Sequence, residues 1–441
     1  MPSKSFVAIA GAVLCLLISI RANGNELPRR PVFGASVLAD PAGVLVDYVA
    51  PGGPADRAGL KMGDIIKSLA NHPVSLPAEF VAAVRATPTE QPATLEIVRA
   101  GTRQVLTVTL LPAPKETDPD VNTLYSAIAV EGTLRRTLIT IPRTTTPAAS
   151  PQKFPALLLV GGIGCYTVDN PKDPYDAYRY LAHDLTRAGV VVMRVEKSGM
   201  GDSQGTPCFN TDFNAEAASY KIALEALRGD PRVDPQRIFL FGHSIGSVII
   251  PRLAQESSVA GLIFAEGVGR NWFEYELWNL RRQEELAGDS PTEVDATLRS
   301  KEVCMHRLLI ERQNESDIER DMPECKPRNT YPVTDAYMQE VAAINIAELW
   351  THVGVPVLGI YGTGDFVTTE DDHRRIVAIV NANHPGSATL HTIDGMDHHL
   401  GAAGSPQAAY DLRVKDHKET PYEQRLSAEV ATWLCSHTHC G

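Results

Sequence analysis

The chain has 441 residues, of which 44% are hydrophobic and 21% are charged. This is the balance of ordinary globular proteins, and the length is enough for two or three domains. The formal net charge is −12 at pH 7, and no long run of lysine or arginine is present. This charge argues against nucleic acids and anionic membrane surfaces as partners.

The N-terminus has the pattern of an export signal. Lys4 supplies a positive charge, residues 6–20 are almost wholly apolar, and residues 22–24 offer a cleavage site. We therefore predict a signal peptide over residues 1–24 and a periplasmic or secreted mature protein. A membrane anchor is the alternative, but a span needs about 20 apolar residues, and this run ends at Arg21. No stable membrane span is expected after cleavage.

The cysteines fit an exported chain. Cleavage would remove one cysteine and leave an even number, which is the pattern of disulfide bonds in exported proteins. Proximity along the sequence favours Cys304 with Cys325 and Cys435 with Cys440, and it leaves Cys165 for Cys208. The alternative is that these are unrelated buried thiols. No Cys-x-x-Cys pair supports a zinc site.

The first region after the signal combines short strands with glycine-rich turns. Residues 44–46 form a predicted strand, Val49-Ala50-Pro51-Gly52-Gly53-Pro54-Ala55 follows, and residues 58–66 have the sequence Ala-Gly-Leu-Lys-Met-Gly-Asp-Ile-Ile. This pattern resembles a PDZ domain of the kind found in bacterial envelope proteases. The resemblance implies a small β-rich domain over residues 25–115.

The resemblance to PDZ domains also implies a ligand site. In such domains a peptide adds as a strand beside a helix, and backbone N–H groups bind its terminal carboxylate. By position, Phe33, Gly34 and Ala35 match the carboxylate loop, and residues 77–86 match the groove helix. A peptide or protein ligand is therefore a candidate partner. A module that serves only for internal docking is the alternative.

The second region alternates apolar strands with helical patterns. Residues 156–160 are a continuous apolar run, typical of a parallel strand covered on both faces. Residues 190–195, which are apolar except for Arg194, are predicted to be the next buried strand. The strand at residues 237–241 leads directly into Gly242-His243-Ser244-Ile245-Gly246, and an apolar helix follows. A strand, a Gly-x-Ser-x-Gly turn and a helix form the setting of a nucleophile elbow. The pattern therefore predicts Ser244 as a nucleophile at the positive end of a helix.

The segment from about residue 125 to residue 437 resembles the α/β-hydrolase superfamily, and most closely its dienelactone-hydrolase and acyl-thioesterase-like branch. We therefore predict an α/β-hydrolase domain over residues 120–441. Residues 196–203 are similar to the Asp-x-Arg-Gly-x-Gly-x-Ser loop of that branch, but Glu196, Lys197 and Ser198 occupy its first three positions. The resemblance implies an α/β fold with a mostly parallel sheet and a helical cap inserted at about residues 268–345.

The superfamily order of catalytic residues is serine, acid, histidine. Asp365 follows a predicted strand and matches the acid, while Glu266 ends another strand and is the alternative. The pattern Gly-x-x-His places the base at His398, with His399 as the alternative. The resemblance therefore implies a triad of Ser244, His398 and Asp365.

An oxyanion hole needs backbone N–H groups where negative charge develops. Ile245 follows the nucleophile and should supply one of them. The glycine-rich segment at residues 161–164 should supply the other, with Ile163 as the best candidate. A disulfide between Cys165 and Cys208 would brace this segment.

Aromatic residues cluster at the start of the predicted cap: Trp272, Phe273, Tyr275 and Trp278. Either they line an apolar acyl pocket or they form the core of the cap itself.

These patterns predict an exported serine hydrolase that cleaves carboxylic esters, or thioesters, through an acyl-enzyme. The expected substrate is a small acyl ester, and neither a metal nor an organic cofactor is expected. One alternative is a serine peptidase that uses the PDZ domain to engage peptides. Another is a peptide-binding adaptor whose hydrolase region has lost its activity.

Overall fold

The computed structural model of the chain describes residues 27–143, 153–326 and 331–438. The predicted signal peptide lies outside these ranges, and so does Cys440, the predicted partner of Cys435. Within the described ranges, no helix combines the length and the apolar character that crossing a membrane requires.

A small β-rich region begins the described chain, which confirms this part of the predicted architecture. Its elements are β1 (Pro31–Val32), β2 (Ala35–Asp40), β3 (Gly43–Val49), α1 (Pro54–Arg57), β4 (Ile65–Leu69), β5 (His72–Pro73), α2 (Pro77–Ala86), β6 (Pro92–Arg99), β7 (Thr102–Thr109) and β8 (Leu111–Pro112). An antiparallel sheet has the order β2-β3-β4-β6-β7, β5 pairs with β4, and β1 pairs with β8.

The core of this region lies between its sheet and α2. Phe33 meets Phe80 of α2 edge to face, with the ring centroids 4.9 Å apart, and both side chains are buried. Phe33 was predicted in the carboxylate loop of a peptide groove. Because its side chain is part of the core, only its backbone is placed to meet a ligand.

The larger region alternates strands and helices. Its strands are β9 (Val121–Val130), β10 (Thr133–Pro142), β11 (Phe154–Val160), β12 (Val191–Val195), β13 (Val233–His243), β14 (Gly261–Ala265), β15 (Val357–Gly362) and β16 (Ala388–Ile393). Its helices are α3 (Ala177–Arg187), α4 (Phe213–Arg228), α5 (Gly246–Glu256), α6 (Trp272–Ala287), α7 (Pro291–Met305), α8 (Glu315–Asp321), α9 (Asp335–Ala342), α10 (Ile346–Thr351), α11 (Glu370–Asn383), α12 (Pro406–Tyr410) and α13 (Gln424–Thr438).

The strands of this region form one twisted sheet in the order β16-β15-β14-β13-β11-β12-β10-β9. The strands from β16 to β12 are parallel, and β10 and β9 add antiparallel at one edge. Successive residues of a strand face opposite sides of a sheet. Accordingly, Leu157 and Leu159 pack with α3 and α13, whereas Ala156 and Leu158 pack with α4, α5 and α11. This mostly parallel sheet, covered on both faces, confirms the predicted α/β class.

Helices α6 to α10 lie between β14 and β15, in the part of the chain where the sequence predicts a cap. Cys304 of α7 is bonded to Cys325, with 5.6 Å between their Cα atoms. Cys165 is bonded to Cys208 at a Cα separation of 5.7 Å, which joins the segment after β11 to the segment after β12. Cys304–Cys325 is a pair that sequence proximity favoured, and Cys165–Cys208 is the pair that was left over.

Candidate active site

Ser244 occupies the sharp turn between β13 and α5. Its backbone is left-handed, with φ of 54°, which is unfavourable for a residue with a side chain. Glycines on both sides make the turn possible. A Cβ atom at Gly242 would lie 2.6 Å from the carbonyl oxygen of Gly246, and a Cβ atom at Gly246 would overlap the carbonyl oxygen of Val160. The turn therefore lifts the hydroxyl of Ser244 above the carboxyl ends of the parallel strands.

The loops after β15 and β16 bring an acid and a base to the same edge. Ser244 Oγ lies 3.0 Å from His398 Nε2, and His398 Nδ1 lies 2.9 Å from Asp365 Oδ2. These strands stand two and three places from β13 in the same parallel sheet, and their loops bring residues that are far apart in sequence together. The structure thus brings together the serine, histidine and aspartate that the sequence predicted.

Asp365 is held as a carboxylate. Burial alone would raise its pKa, but His398 and several hydrogen bonds outweigh this and hold the pKa of Asp365 below its ordinary value. The N–H groups of Val367 and Thr368 donate to Oδ1 at 2.5 and 3.0 Å, and the Thr368 hydroxyl donates to Oδ2. An ionised Asp365 requires the proton of a neutral His398 to sit on Nδ1. Nε2 is then free to accept the proton of Ser244.

Glu266, the alternative acid, ends the intervening strand β14 but has different partners. Its side chain is fully buried, and Oε1 accepts the Gly362 N–H at 2.8 Å. Burial first, and then the negative charge of Asp365, raise the pKa of Glu266 well above its ordinary value. The fold therefore favours the protonated form of Glu266 beside the carboxylate of Asp365, and His398 is bonded to Asp365.

A chain of hydrogen bonds connects the His398 loop to the glycine segment after β11. The carbonyl of His398 can only accept, so His243 Nε2 donates to it at 2.7 Å. Burial, with His398 nearby, lowers the pKa of His243 to about 3, so its Nδ1 carries no proton and accepts from the Tyr178 hydroxyl at 2.7 Å. The Tyr178 oxygen in turn accepts the Gly162 N–H at 3.0 Å. In this series of three hydrogen bonds, each donor therefore has one acceptor.

Two backbone N–H groups beside Ser244 donate no hydrogen bond to any residue that the structure describes. Among the described residues, neither the Ile163 N–H nor the Ile245 N–H donates a hydrogen bond within the protein. Ile245 directly precedes α5, so its N–H belongs to the positive end of that helix. Ile163 follows Gly162, where a Cβ atom would lie 3.4 Å from Ser244 Cβ. The two residues predicted for an oxyanion hole therefore flank the serine with free donors.

A cavity of about 810 Å³ opens at Ser244 and His398. Its wall is rich in aromatic side chains, namely Tyr166, Tyr175, Tyr178, Trp272, Tyr275, Tyr331 and Phe366. Its charged side chains are Asp173, Asp176, Arg413 and Glu419. The cavity therefore combines flat apolar surfaces with a few charged groups.

The predicted cap aromatics divide into two groups. Trp272 and Tyr275 are buried and line the cavity, as the pocket interpretation requires. Phe273 packs against the main core, and Trp278 is 53% exposed and lies away from the cavity. His399, the alternative base, lines the cavity, and its own N–H donates to Asp397.

Comparison with known proteins assigns the chain to a family. Residues 172–402, more than half of the chain, match the family described as serine aminopeptidase, S33. The chain belongs to the S33 family. Residues 16–110 of this S33 protein match the PDZ domain, which agrees with the resemblance of that region. The family match spans both Ser244 and His398.

Individual relatives of this S33 protein cover different parts of it. Esterase EstD of Thermotoga maritima is 22% identical over 297 residues, or 67% of this chain and 64% of the relative. A probable periplasmic serine endoprotease, DegP-like, of Pseudomonas fulva is 35% identical over 126 residues, or 29% of this chain and 25% of the relative. The matches therefore span less than two thirds of the length of either relative.

Among solved structures, Est1E of Butyrivibrio proteoclasticus with bound ferulic acid is 14% identical. The match covers 71% of this chain and 99% of that chain, with a TM-score of 0.45.

Several buried polar residues of this S33 protein were not found from the sequence. His243 stands at a variable position of the Gly-x-Ser-x-Gly motif, and Tyr178 lies on α3, 65 residues away. Asp397 accepts the N–H groups of His399 and Gly401 at 2.9 and 2.8 Å and so supports the His398 loop. None of these residues has a spacing signal, because each acts through a contact that only the folded chain creates.

Proposed function

We propose that this protein is an exported serine hydrolase that cleaves carboxylic esters, and by the same chemistry thioesters, with Ser244 as nucleophile. The observation that carries the proposal is the continuous contact from Ser244 Oγ to His398 Nε2 at 3.0 Å and from His398 Nδ1 to Asp365 Oδ2 at 2.9 Å. This contact faces a cavity large enough for a small organic ester. The name of the EstD relative supports an ester as substrate.

The proposed reaction has two halves. Ser244 Oγ attacks the carbonyl carbon while His398 Nε2 takes its proton, and the carbonyl π electrons move onto oxygen. The N–H groups of Ile163 and Ile245 stabilise this oxyanion. The oxyanion then collapses, the bond to the alcohol breaks, and His398 returns the proton to the departing oxygen. Water attacks the acyl-enzyme by the same route and releases the acid and free Ser244.

The proposal also includes export and a ligand of the PDZ region. The apolar residues 6–20, two disulfide bonds and periplasmic DegP-like relatives support export. For the PDZ region we propose a peptide that adds along β2 beside α2. Its terminal carboxylate would meet the backbone at Phe33, Gly34 and Ala35.

A second candidate function is removal of an amino acid from the N-terminus of a peptide. The carboxylates of Asp173, Asp176 and Glu419 line the cavity and would attract the ammonium group of such a substrate. Asp176 Oδ2 is buried and has no hydrogen-bond partner among the described residues. The description of the S33 family fits this candidate, whereas the EstD relative favours esters.

Labelling with a fluorophosphonate probe tests the nucleophile. We expect the purified protein to be labelled and Ser244→Ala to be unlabelled, because the probe bonds an activated serine. Ser257→Ala, at the opposite end of α5, is the matched control and should label like the wild type. Labelling that survives Ser244→Ala would remove the assigned nucleophile. No labelling of the wild type would favour a peptide-binding adaptor without activity.

Turnover of two substrate sets separates the two reactions. We expect short acyl nitrophenyl esters to be hydrolysed and amino-acid nitroanilides to be hydrolysed much more slowly, if at all. The opposite order, with a loss of nitroanilide turnover in Asp176→Asn, would establish the aminopeptidase candidate instead.

A further inference from the structure

The buried side chain of Lys197 forms a hydrogen bond to the backbone of the candidate oxyanion hole. The carbonyl oxygen of Gly162 accepts hydrogen bonds from Lys197 Nζ at 2.7 Å and from the Tyr166 hydroxyl at 2.9 Å. Lys197 follows β12 and is only 7% exposed. Lys197 occupies the second position of the loop that departs from the Asp-x-Arg-Gly pattern, and sequence reasoning assigned it no role.

The surroundings of Lys197 are unusual for a residue with a purely structural role. Its ammonium lies 2.9 Å from Glu216 Oε1 and 4.7 Å from the centre of the Tyr166 ring. Burying a charge costs free energy, and a single ion pair only partly offsets that cost. A lysine that merely neutralised Glu216 would need no bond to the backbone of the glycine segment. Lys197 nevertheless directs one N–H at the Gly162 carbonyl.

The geometry of the peptide bond explains how the contact at the Gly162 carbonyl orients the Ile163 N–H. In a trans peptide the C=O and the following N–H point in opposite directions. Fixing the Gly162 carbonyl towards Lys197 therefore directs the Ile163 N–H to the other side of the peptide plane. The Gly161 and Gly162 N–H groups already donate to Tyr220 and Tyr178, so Ile163 supplies the first free donor of this segment.

A cation on the carbonyl also changes the strength of that donor. The peptide C–N bond is partly double because electron density moves from nitrogen to oxygen. An ammonium at the carbonyl oxygen draws further density in the same direction and makes the attached N–H more positive. Hydrogen bonds to a developing anion are strong because one partner is charged, and polarisation of the donor strengthens them further.

We propose that Lys197 is a positioning residue of the oxyanion hole, which aims and polarises the Gly162–Ile163 peptide for the tetrahedral intermediate. This inference rests on the proposed ester hydrolysis at Ser244. Lys197 does not line the cavity at Ser244, so it acts through the peptide and makes no contact with substrate.

The test compares substitutions at the two side chains that share the Gly162 carbonyl. Lys197→Met removes the charge and keeps the length of the stem, and Lys197→Gln keeps a neutral donor. Tyr166→Phe removes the neutral bond to Gly162 together with a 3.4 Å contact to the Tyr178 hydroxyl. The readouts are kcat and KM for a short acyl nitrophenyl ester, and inhibition by phenylboronic acid, which forms a tetrahedral adduct with an active-site serine. Circular dichroism establishes that each variant is folded.

We expect Lys197→Met to lower kcat by about 10- to 100-fold, somewhat less than the loss of a whole oxyanion donor, with KM nearly unchanged. The inhibition constant of the boronic acid should rise in proportion to the loss of kcat, because both report binding of the tetrahedral state. Tyr166→Phe should cost much less than Lys197→Met, and Lys197→Gln should lie between them.

Three results would overturn the inference. They are a kcat of folded Lys197→Met close to that of the wild type, equal losses in Lys197→Met and Tyr166→Phe, and a change in KM alone. If Lys197→Met does not fold, Lys197→Gln decides, since wild-type kcat in that variant removes the role of the charge. Wild-type protein without esterase activity, or activity that survives Ser244→Ala, would instead sink the proposed function. If the wild type has esterase activity that depends on Ser244 and Lys197→Met retains that activity, only the role of Lys197 is overturned.

Discussion

The N-terminal β-rich region buries mainly apolar side chains, whereas the larger region also buries many charged and polar groups. In the first region the core centres on residues such as Phe33 and Phe80, and Asp64 is a rare buried charge. In the second, Arg136, Arg194 and Glu266 are all completely buried. A buried apolar side chain tolerates shifts of its neighbours, but a buried charge requires specific partners at specific distances. Single substitutions should therefore have sharper effects in the larger region.

The two regions are not divided in space at the point where they are divided along the sequence. Residues Leu27 to Arg30, just before β1, form a short arm that lies against the larger region. Arg29 Nη1 contacts Asp169 and lies 2.5 Å from Asp202, and the Arg30 N–H donates to Asp202 at 2.7 Å. By sequence this arm belongs to the PDZ region, but its contacts belong to the hydrolase region.

The largest effect that this comparison predicts is at Asp365. Asp365→Asn should lower kcat for esters by about 10³- to 10⁴-fold, because an amide does not hold His398 in the tautomer that accepts the Ser244 proton. Glu266→Gln is the matched control at the neighbouring strand end. Since burial raises the pKa of Glu266 and so favours its uncharged form, its conversion to an amide should cost far less. Equal losses of kcat in the two variants would mean that the two acids have been assigned the wrong way round.

A large loss of stability is expected at the arm. Arg29→Ala leaves Asp169 and Asp202 buried without this partner, and breaking such a pair typically costs about 3–5 kcal/mol of unfolding free energy. Lys221→Ala, which breaks a solvent-exposed pair with Glu256, should cost less than about 1 kcal/mol. Urea unfolding measures both. Similar losses in the two variants would show that the arm is not part of the folded hydrolase region.

Glu116, in the linker that follows β8, should make the free energy of unfolding depend on pH. Glu116 accepts from Arg194 Nη2 and Nη1 at 2.6 and 2.8 Å and lies 3.1 Å from His183 Nε2. Burial by itself raises the pKa of Glu116, but Arg194 and His183 outweigh it and lower the pKa to about 2 from an ordinary 4.5.

Because this pKa is lowered on folding, the stabilisation is complete above pH 4.5 and disappears as the pH falls towards 2. A shift of this size corresponds to about 3 kcal/mol. Glu116→Gln should therefore be less stable than the wild type at pH 7 and should lose less stability on acidification. Parallel curves of unfolding free energy against pH for the two proteins would contradict this assignment.

The sequence predicted the residues that have a motif or a strand end to mark them. Ser244 has its glycines, Asp365 follows a predicted strand, and His398 has the Gly-x-x-His pattern. The resemblance to the superfamily therefore implied that the three residues meet. The choice between Asp365 and Glu266 could not be made with certainty, because both end buried strands. Only the fold shows which carboxylate reaches His398 and which lies behind it.

Contacts between distant segments could not be predicted in the same way. Lys197 acts on Gly162 across 35 positions, and the bond from His243 to His398 spans 155. Both depend on how loops cross the edge of the sheet, which no local pattern encodes. The cap aromatics show the same limit, since Trp272 and Trp278 stand on one helix and only Trp272 faces the cavity.

The smallest effect is expected in the PDZ region, where backbone shape carries the proposed peptide binding. Gly34 has φ of 81°, and a Cβ atom there would lie 3.2 Å from Pro54 Cδ. Gly34→Ala should cost about 1–2 kcal/mol of stability and weaken binding of peptides with a free terminal carboxylate. It should leave ester kcat unchanged, because Gly34 does not line the cavity at Ser244. Fluorescence anisotropy with free and amidated peptides measures the binding.

Gly52→Ala is the matched control for that experiment. Gly52 has a similar φ of 69°, but a Cβ atom there would meet nothing within 4 Å, so this variant carries the backbone strain without crowding the proposed carboxylate loop. Equal binding losses in both variants would mean that strain alone weakens the region. If free and amidated peptides bind equally well to the wild type, the residues from Phe33 to Ala35 do not hold a carboxylate. The PDZ region would then be a docking module, and the contrast between the two regions would extend from packing to function.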